Sequence, residues 1–426
     1  MGKLATARRL VAVGALTLAG ALGAATVSPA AAAPAGTAGS SGAAASARSA
    51  DAASAVGDAQ AAGGSTWIVT LESGAAGGDV SAAARTQLDD HRPGARPLRV
   101  FRHALRGYTA RLTAAEARAL ADEPGVARVE PDVTVRAFDT QPNAPWGLDR
   151  IDQRTRPLSG TYTYGPTGQG VTAYVIDTGI RLSHRDFGGR AVSGFDAVDG
   201  GSADDCNGHG THVASTVGGS TYGVAKGVQL VAVRVLDCNG NGSASGVIAG
   251  IDWAVGHHQA GQPAVANFSL GGTGSTALDQ AVGRLIDDGV TVVAAAGNSG
   301  ADACGTSPAR VPAVITVAAS TQSDALASFS NRGSCVDVIA PGVNVPAAWA
   351  TSDTATNTIS GTSMASPHVA GAVAKHLQGA TDASPAAVSA AITQAATQGQ
   401  IAGTQGGCWL WIFCTPATPN RLLFSN

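Results

Sequence analysis

Four short stretches of this 426-residue sequence put a group able to do acid–base or nucleophilic chemistry next to glycine, where a backbone can turn tightly or approach closely. Asp177 ends the apolar run 171–176 and is followed by Thr178 and Gly179. His209 stands between Gly208 and Gly210, Asn298 follows the run 291–296 and Gly297, and Ser363 comes two residues after Gly361. The Ala- and Val-rich segment 369–377 suits a buried helix, so Ser363 falls at a first helical turn. There, unpaired N–H groups and the positive end of the helix dipole would stabilise an oxyanion formed beside its hydroxyl. An imidazole can take the serine's proton, a carboxylate can hold the imidazole tautomer, and an amide can add a second donor to the oxyanion. Each residue also has a plainer use: Ser as a helix cap, Asp and Asn as turn formers. His209 and His212, three apart, suit a metal pair, but no Glu follows as in a zincin and no third ligand suggests itself.

Elements that could carry these groups are legible around them. Beyond Phe138 the apolar runs 171–176, 230–235, 264–269 and 291–296 alternate with helical segments such as 247–255, predicting a mostly parallel sheet covered on both faces. In such a sheet the strands' carboxyl ends face the site, where Asp177 and Asn298 fall. The Gly-rich stretch 240–246 follows a strand and precedes a helix, which raises a dinucleotide loop. Its spacing is GxGxxxG, however, and the strand 264–269 runs into Leu270-Gly271-Gly272 with no acidic residue to hold a ribose. An exposed backbone edge for an extended peptide is the better reading.

Before Phe138 the chain changes character twice. Residues 1–33 read as an export signal, with Lys3, Arg8 and Arg9 ahead of an apolar run and small residues at 30–33. Residues 34–64, nearly all Ala, Gly and Ser, read as a linker. From 65 onward strand- and helix-like runs follow in the order βαββαβ, the last strand at 126–135, which fits a small ferredoxin-like α+β unit.

With 44% hydrophobic and 13% charged residues the chain can build a large core. After Phe138 there are 13 Lys and Arg against 19 Asp and no Glu, a net charge of −6, the wrong sign for a nucleic-acid binder. No segment after the leader is long and apolar enough to span a bilayer. Six cysteines in an exported protein suggest disulfides, with 15 possible pairings.

The motifs also resemble a known family. "TWIVTLESG", "GYTARLT" and "EPGVARVEPDVTV" are similar to the inhibitor propeptide of secreted subtilisin-like proteases. "APWGLDRIDQ", "VIDTGI", "DCNGHGTHVA", "VRVLDCNGNGSASGVIAGIDW", "SLGG", "AAGNSG", "SFSNRGSCVD" and "GTSMASPHVAG" resemble the catalytic domain of subtilisin-like serine proteases, within them most closely the proteinase K and aqualysin branch. The chain order Asp, His, Ser is also theirs. The resemblance implies an α/β, subtilisin-like three-layer fold with a mostly parallel central sheet, preceded by a small α+β ferredoxin-like propeptide domain. It divides the chain into a signal peptide (1–33), linker (34–64), inhibitor propeptide (65–138) and catalytic domain (139–426).

By the same resemblance the protein is a secreted, monomeric serine endopeptidase of broad specificity, acting on proteins and peptides, with no catalytic cofactor, no nucleic-acid partner and no stable membrane association. Asp177, His209 and Ser363 would form the triad and Asn298 would donate to the oxyanion. Gly240, Asn241 and Gly242 on one side and Ser269, Leu270, Gly271 and Gly272 on the other would flank the substrate, with Ala295, Ala296 and Gly297 lining the first side-chain pocket. The family's pattern pairs Cys206 with Cys238 and Cys304 with Cys335. Cys408 and Cys414 depart from that pattern and would close a small hairpin with an aromatic tip. Structural calcium would sit at Asp337 with the carbonyls of Pro312 and Val314, and at a second site on Asp149, Asp152 and Gln153. Self-cleavage would fall at or beside Phe138–Asp139, after which 65–138 would remain bound as an inhibitor. Two readings from other classes, an inert peptide-binding homologue and an adhesion or inhibitor module, are opposed by the four intact positions and by the resemblance beyond residue 138.

Overall fold

The computed structural model describes residues 65–72, 79–133, 139–409, 413–415 and 417–425, with backbone alone at 408–409 and 413–415. The export signal, the linker and Phe138 lie outside the described residues.

The first unit runs β1 (Ser65–Leu71), α1 (Val80–His91), β2 (Arg99–Phe101), β3 (Gly107–Leu112), α2 (Ala114–Ala121) and β4 (Val126–Pro131). Its sheet order is β2-β3-β1-β4, every pair antiparallel, which is the ferredoxin-like arrangement. Strand alternation puts Trp67, Val69 and Leu71 on one face, in a single core with Leu88 of α1 and Leu120 of α2. A capping box between Thr113 and Glu116 starts α2. β4 is described as far as Pro131, and Asp132 N still donates to Thr66 O; residues 134–135 of the expected strand lie outside the described residues.

The second unit opens with a ribbon of β5 (Asp139–Pro142) and β6 (Thr161–Tyr164), with α3 (Trp146–Ile151) between them. Next come β7 (Thr172–Asp177), β8 (Ala191–Asp196), α4 (His209–Gly218), β9 (Gln229–Arg234), α5 (Ala244–His257) and β10 (Ala264–Phe268). They are followed by β11 (Gly272–Thr273), α6 (Thr276–Asp287), β12 (Thr291–Ala295), β13 (Thr306–Ser307), β14 (Ile315–Ser320) and β15 (Val338–Pro341). The chain continues through β16 (Val345–Ala348), β17 (Thr356–Ile359), α7 (Thr362–Gly379), α8 (Pro385–Ala395), β18 (Thr397–Gln398), β19 (Gly407–Trp409), β20 (Phe413–Thr415) and β21 (Arg421–Leu422).

Nine of these strands form one sheet in the order β18-β21-β15-β14-β12-β10-β7-β9-β8, parallel throughout except for β18 against β21. Alternation explains why its strands read as continuous apolar runs. Ala173 and Val175 of β7 face a core shared with α4, α7 and α8, while Tyr174 and Ile176 face a second core under α5 and α6.

Both ends of this unit are tied down. Gln141 Nε2 donates to Thr221 O (3.0 Å) and Ser425 N donates to Ile151 O (2.7 Å). The Arg154 guanidinium lies 3.5 Å over the Phe424 ring. Arg150 is fully buried and makes a two-bond pair with Asp324 (2.8 and 3.2 Å). The hairpin β19–β20 sets Cys408 opposite Cys414, but their side chains lie outside those described. Among the described residues no helix is long and apolar enough to cross a membrane.

Candidate active site

Asp177 is the last residue of β7 and His209 the first of α4, so a strand end and a helix start bring them together. Asp177 is fully buried, and its Oδ1 lies 2.7 Å from His209 Nδ1 while also accepting the Thr178 N–H at 2.7 Å. The His209 side chain stays 25% exposed, leaving its far edge open to the cleft. Burial alone would lower the His209 pKa; the charge and hydrogen bond of Asp177, with the charge of Asp205, outweigh it and leave the pKa raised. Gly208 just ahead has φ of +114°, and a Cβ there would fall 2.4 Å from the Trp349 ring, so only glycine lets the chain enter α4 at this point. His212 is the pair's apparent metal partner only in sequence: its Nε2 lies 3.0 Å from Val345 O, to which it donates, and burial pushes its pKa down to about 4.

Ser363 is the second residue of α7. The helix carries Pro367, which has no N–H to give the Ser363 carbonyl four residues back, and Ser269 Oγ supplies the missing donor at 2.8 Å. In return Ser363 Oγ donates to Ser269 O at 3.0 Å. The chain of bonds runs on through Asn267 Nδ2 to Ser269 Oγ (2.9 Å) and Ser366 Oγ to Asn267 Oδ1 (2.7 Å), fastening α7 to the end of β10. Asn298 lies just past β12. Its Oδ1 accepts from Thr362 N (2.8 Å) and Thr362 Oγ1 (2.9 Å). Two donors on one atom fix that atom as oxygen, so the amide nitrogen is the end left to donate.

Two cavities share the wall Ser269–Thr273. One, of about 570 Å³, holds His209 and the 240–242 edge; the other, of about 420 Å³, holds Asn298, Thr362 and Ser363. All of Gly240, Asn241, Gly242, Ser269, Leu270, Gly271 and Gly272 line one or both. Gly242 must be glycine, since a Cβ would fall 2.5 Å from Val235 O. Ala295 and Gly297 line the second cavity, but Ala296 turns its methyl into the core with Ala303 and Ala318, as strand alternation dictates.

Cys206–Cys238 and Cys304–Cys335 are bonded, with Cα separations of 5.0 and 5.3 Å. Asp337 and Thr316 exchange backbone and side-chain bonds at 2.9 Å, immediately beyond Pro312 and Val314. Burial raises the Asp337 pKa, so its carboxylate is short of compensation, which a hard cation with oxygen ligands would supply. At the second expected site the same oxygens also serve a turn. Asp149 accepts from Ser159 N, Ser159 Oγ and Gly160 N at 2.7–2.9 Å, and Gln153 Oε1 accepts from Ser159 N. Asp152 Oδ2 accepts from Thr163 N, while Asp152 Oδ1 is buried without a protein partner and burial raises the Asp152 pKa to about 6, so an uncompensated oxygen remains there for a hard cation.

Sequence reasoning missed Asp205, Asn267, Thr362 and Ser366. Asp205, Thr362 and Ser366 lay inside motifs quoted above, but nothing local marked their roles; Thr362, Ser366 and Asn267 each act through a partner more than 60 residues away.

The subtilase family model matches residues 168–408 and the peptidase inhibitor I9 model matches 66–138. An extracellular serine proteinase of Thermus sp. (strain Rt41A) is 60% identical over 71% of this chain and 74% of its own length. Alkaline serine exoprotease A of Vibrio alginolyticus is 53% identical over 76% of this chain, which spans 60% of that protein. Among solved structures, a cold adapted subtilisin-like serine proteinase is 52% identical, with a TM-score of 0.62 over 67% of this chain and 99% of that one. A family match over more than half the chain, falling on the sheet and helices that carry these residues, makes the chain a member of the subtilase family, a serine endopeptidase with an inhibitor I9 propeptide ahead of it.

Proposed function

We propose that the protein is an exported endopeptidase of broad specificity in which Asp177, His209 and Ser363 act as the triad and Asn298 as an oxyanion donor. The observation that carries this reading is the 2.7 Å contact of His209 Nδ1 with a fully buried carboxylate at the head of a cleft that also exposes Ser363. His209 Nε2 takes the Ser363 proton as Oγ turns from Ser269 O to attack a peptide carbonyl. Asp177 holds the tautomer and stabilises the imidazolium. The oxyanion is met by Asn298 Nδ2 and the Ser363 N–H, and His209 then protonates the leaving amine. The substrate lies extended between 240–242 and 269–272, and small residues at Ala295 and Gly297 leave its first side chain a roomy apolar pocket. Pro312, Val314 and Asp337 would hold a structural calcium ion.

Export is supported by the leader-like residues 1–33 and by relatives named extracellular. In this reading 34–64 is a spacer, 65–138 the propeptide and 139–426 the mature chain. The chain cuts itself near Phe138–Asp139, and the freed segment stays on as inhibitor. A fluorophosphonate probe and N-terminal sequencing test both parts. The wild type should label at Ser363 and begin near Asp139; Ser363→Ala should neither label nor be cut when made without other proteases. Labelling that persists in Ser363→Ala sinks the nucleophile assignment, and clean cutting of that variant sinks self-processing.

A further inference from the structure

Asp205 lies on the loop between β8 and α4 and is 7% exposed. Its Oδ1 accepts from Asn207 N, Gly208 N and Thr178 Oγ1, each at 2.9 Å, and its Oδ2 accepts from Thr211 N (2.9 Å) and Thr211 Oγ1 (2.6 Å). Both hydroxyls pass the connection on. Thr178 Oγ1 accepts the Gly210 N–H and Thr211 Oγ1 accepts the Arg181 N–H, each at 2.9 Å. Gly208, at the cap position of α4, offers no side chain for the helix's free N–H groups, and this network takes them up instead. On one side stand Thr178 and Arg181, just after Asp177; on the other stand Gly208, Gly210 and Thr211, around His209.

We propose that Asp205 is a positioning residue for hydrolysis: a carboxylate joint that locks the start of α4 to the end of β7 and so sets His209 against Asp177. The proposal rests on the triad reading above. Asp205 touches neither substrate nor reacting atoms. Its charge also adds to that of Asp177 in favouring the His209 imidazolium. The charged and titratable groups around this turn include Asp177 of β7, His212 on α4, and Arg181, whose guanidinium is paired with Asp353. Asp204, whose Oδ1 accepts the Leu182 N–H, and Asp186, which accepts from Ser215 on α4, complete the acids. Arg234 reaches the Cys206 sulfur at 3.5 Å but is held by Asp196 and Asp199.

Asp205→Asn keeps the shape, removes the charge and sets an amide against N–H donors. Thr211→Val keeps the charge and removes one relay. Each mature variant, processed in trans where needed and freed of the processing enzyme, is counted by fluorophosphonate labelling. It is then assayed on a short peptide from about pH 5 to about pH 9, the range over which a histidine base titrates. Asp205→Asn should lower kcat per labelled site about 10- to 100-fold, the scale of a misplaced catalytic group, with KM nearly unchanged. Its acid limb should move to lower pH, because the imidazolium has lost a favourable neighbour. Thr211→Val should lower kcat several-fold, up to about tenfold, and leave the limb in place. An Asp205→Asn enzyme with wild-type kcat, or with an unmoved acid limb, overturns the proposal. If Asp205→Asn yields no folded enzyme, Thr211→Val decides: an unchanged kcat overturns it and a reduced one supports it. A wild-type chain that does not label at Ser363 overturns the triad reading instead, so the two failures are distinguishable.

Discussion

His209 and Asp177, on one side of the cleft, are held by charge: a buried carboxylate on the imidazole, and a second one, Asp205, threaded between helix and strand. Ser363 and Asn298, on the other side, are held by neutral groups alone, through Thr362, Ser269, Asn267 and Ser366. The division matches the charges that the proposed mechanism would create. An imidazolium would form on the first side, where carboxylates meet it. An oxyanion would form on the second, where another negative charge would repel it at low local dielectric.

The strongest test of that contrast removes the neutral donor. Asn298→Ala should cut kcat by about 10²–10³, a size known from another subtilase rather than obtained from this geometry, with KM and the acid limb unchanged. A shifted limb would break the contrast, because it would tie Asn298 to the charged side. Acid should strain both sides through one kind of residue. His212 and His368 are buried, with pKa values pushed down to about 4 by burial. Between about 6.5 and about 4 the unfolded chain binds their protons and the folded chain does not, so stability is complete above this window and is lost as pH falls through it, on the order of 3 kcal/mol per residue. Asp152, raised to about 6 by burial, acts in the opposite direction, as do Asp337 and His209, whose pKa values are also raised, and together they offset part of this loss. Melting of the inhibitor-blocked mature enzyme should therefore fall steeply from about pH 6.5 downward; a flat profile would refute the account.

Two smaller effects sharpen the comparison. Ser366→Ala strips the donor from the buried Asn267 Oδ1 and should cost about 1–3 kcal/mol of stability while leaving kcat nearly intact. A large kcat loss would show that the neutral network steers Ser363 rather than merely fastening α7. Calcium chelation should touch neither side of the cleft: a melting point lower by about 2–4 °C for each kcal/mol of lost binding, with initial turnover unchanged. An unchanged melting curve in excess chelator would remove the ion from Asp337.

The strands and the ends that carry Asp177, Asn298 and Ser363 were legible because a parallel sheet buried on both faces writes each strand as an uninterrupted apolar run, and glycine marks where it stops. The short ribbons β5–β6, β11–β13 and β16–β17 left no such trace, since two to four residues are too few to show a period. The surroundings of Asp149 were illegible for a related reason. A carboxylate next to a turn reads alike whether a cation or the turn's own N–H groups will satisfy it, and only the fold of 159–160 decides. Asp205 was hidden in plain view: its neighbours in sequence are its partners, yet its role depends on Thr178, which arrives from another strand.

The tethered ends of the second unit bear on survival. Any subtilase lives among copies of itself, each able to bind an extended, unpaired segment of chain. Asp139–Pro142 is already paired with β6 and tied by Gln141, and at the other end Ser425 is bonded to Ile151 with Phe424 covered by Arg154. The described ends thus offer a neighbouring copy little free strand to seize, and digestion at these two ends must wait for them to open locally.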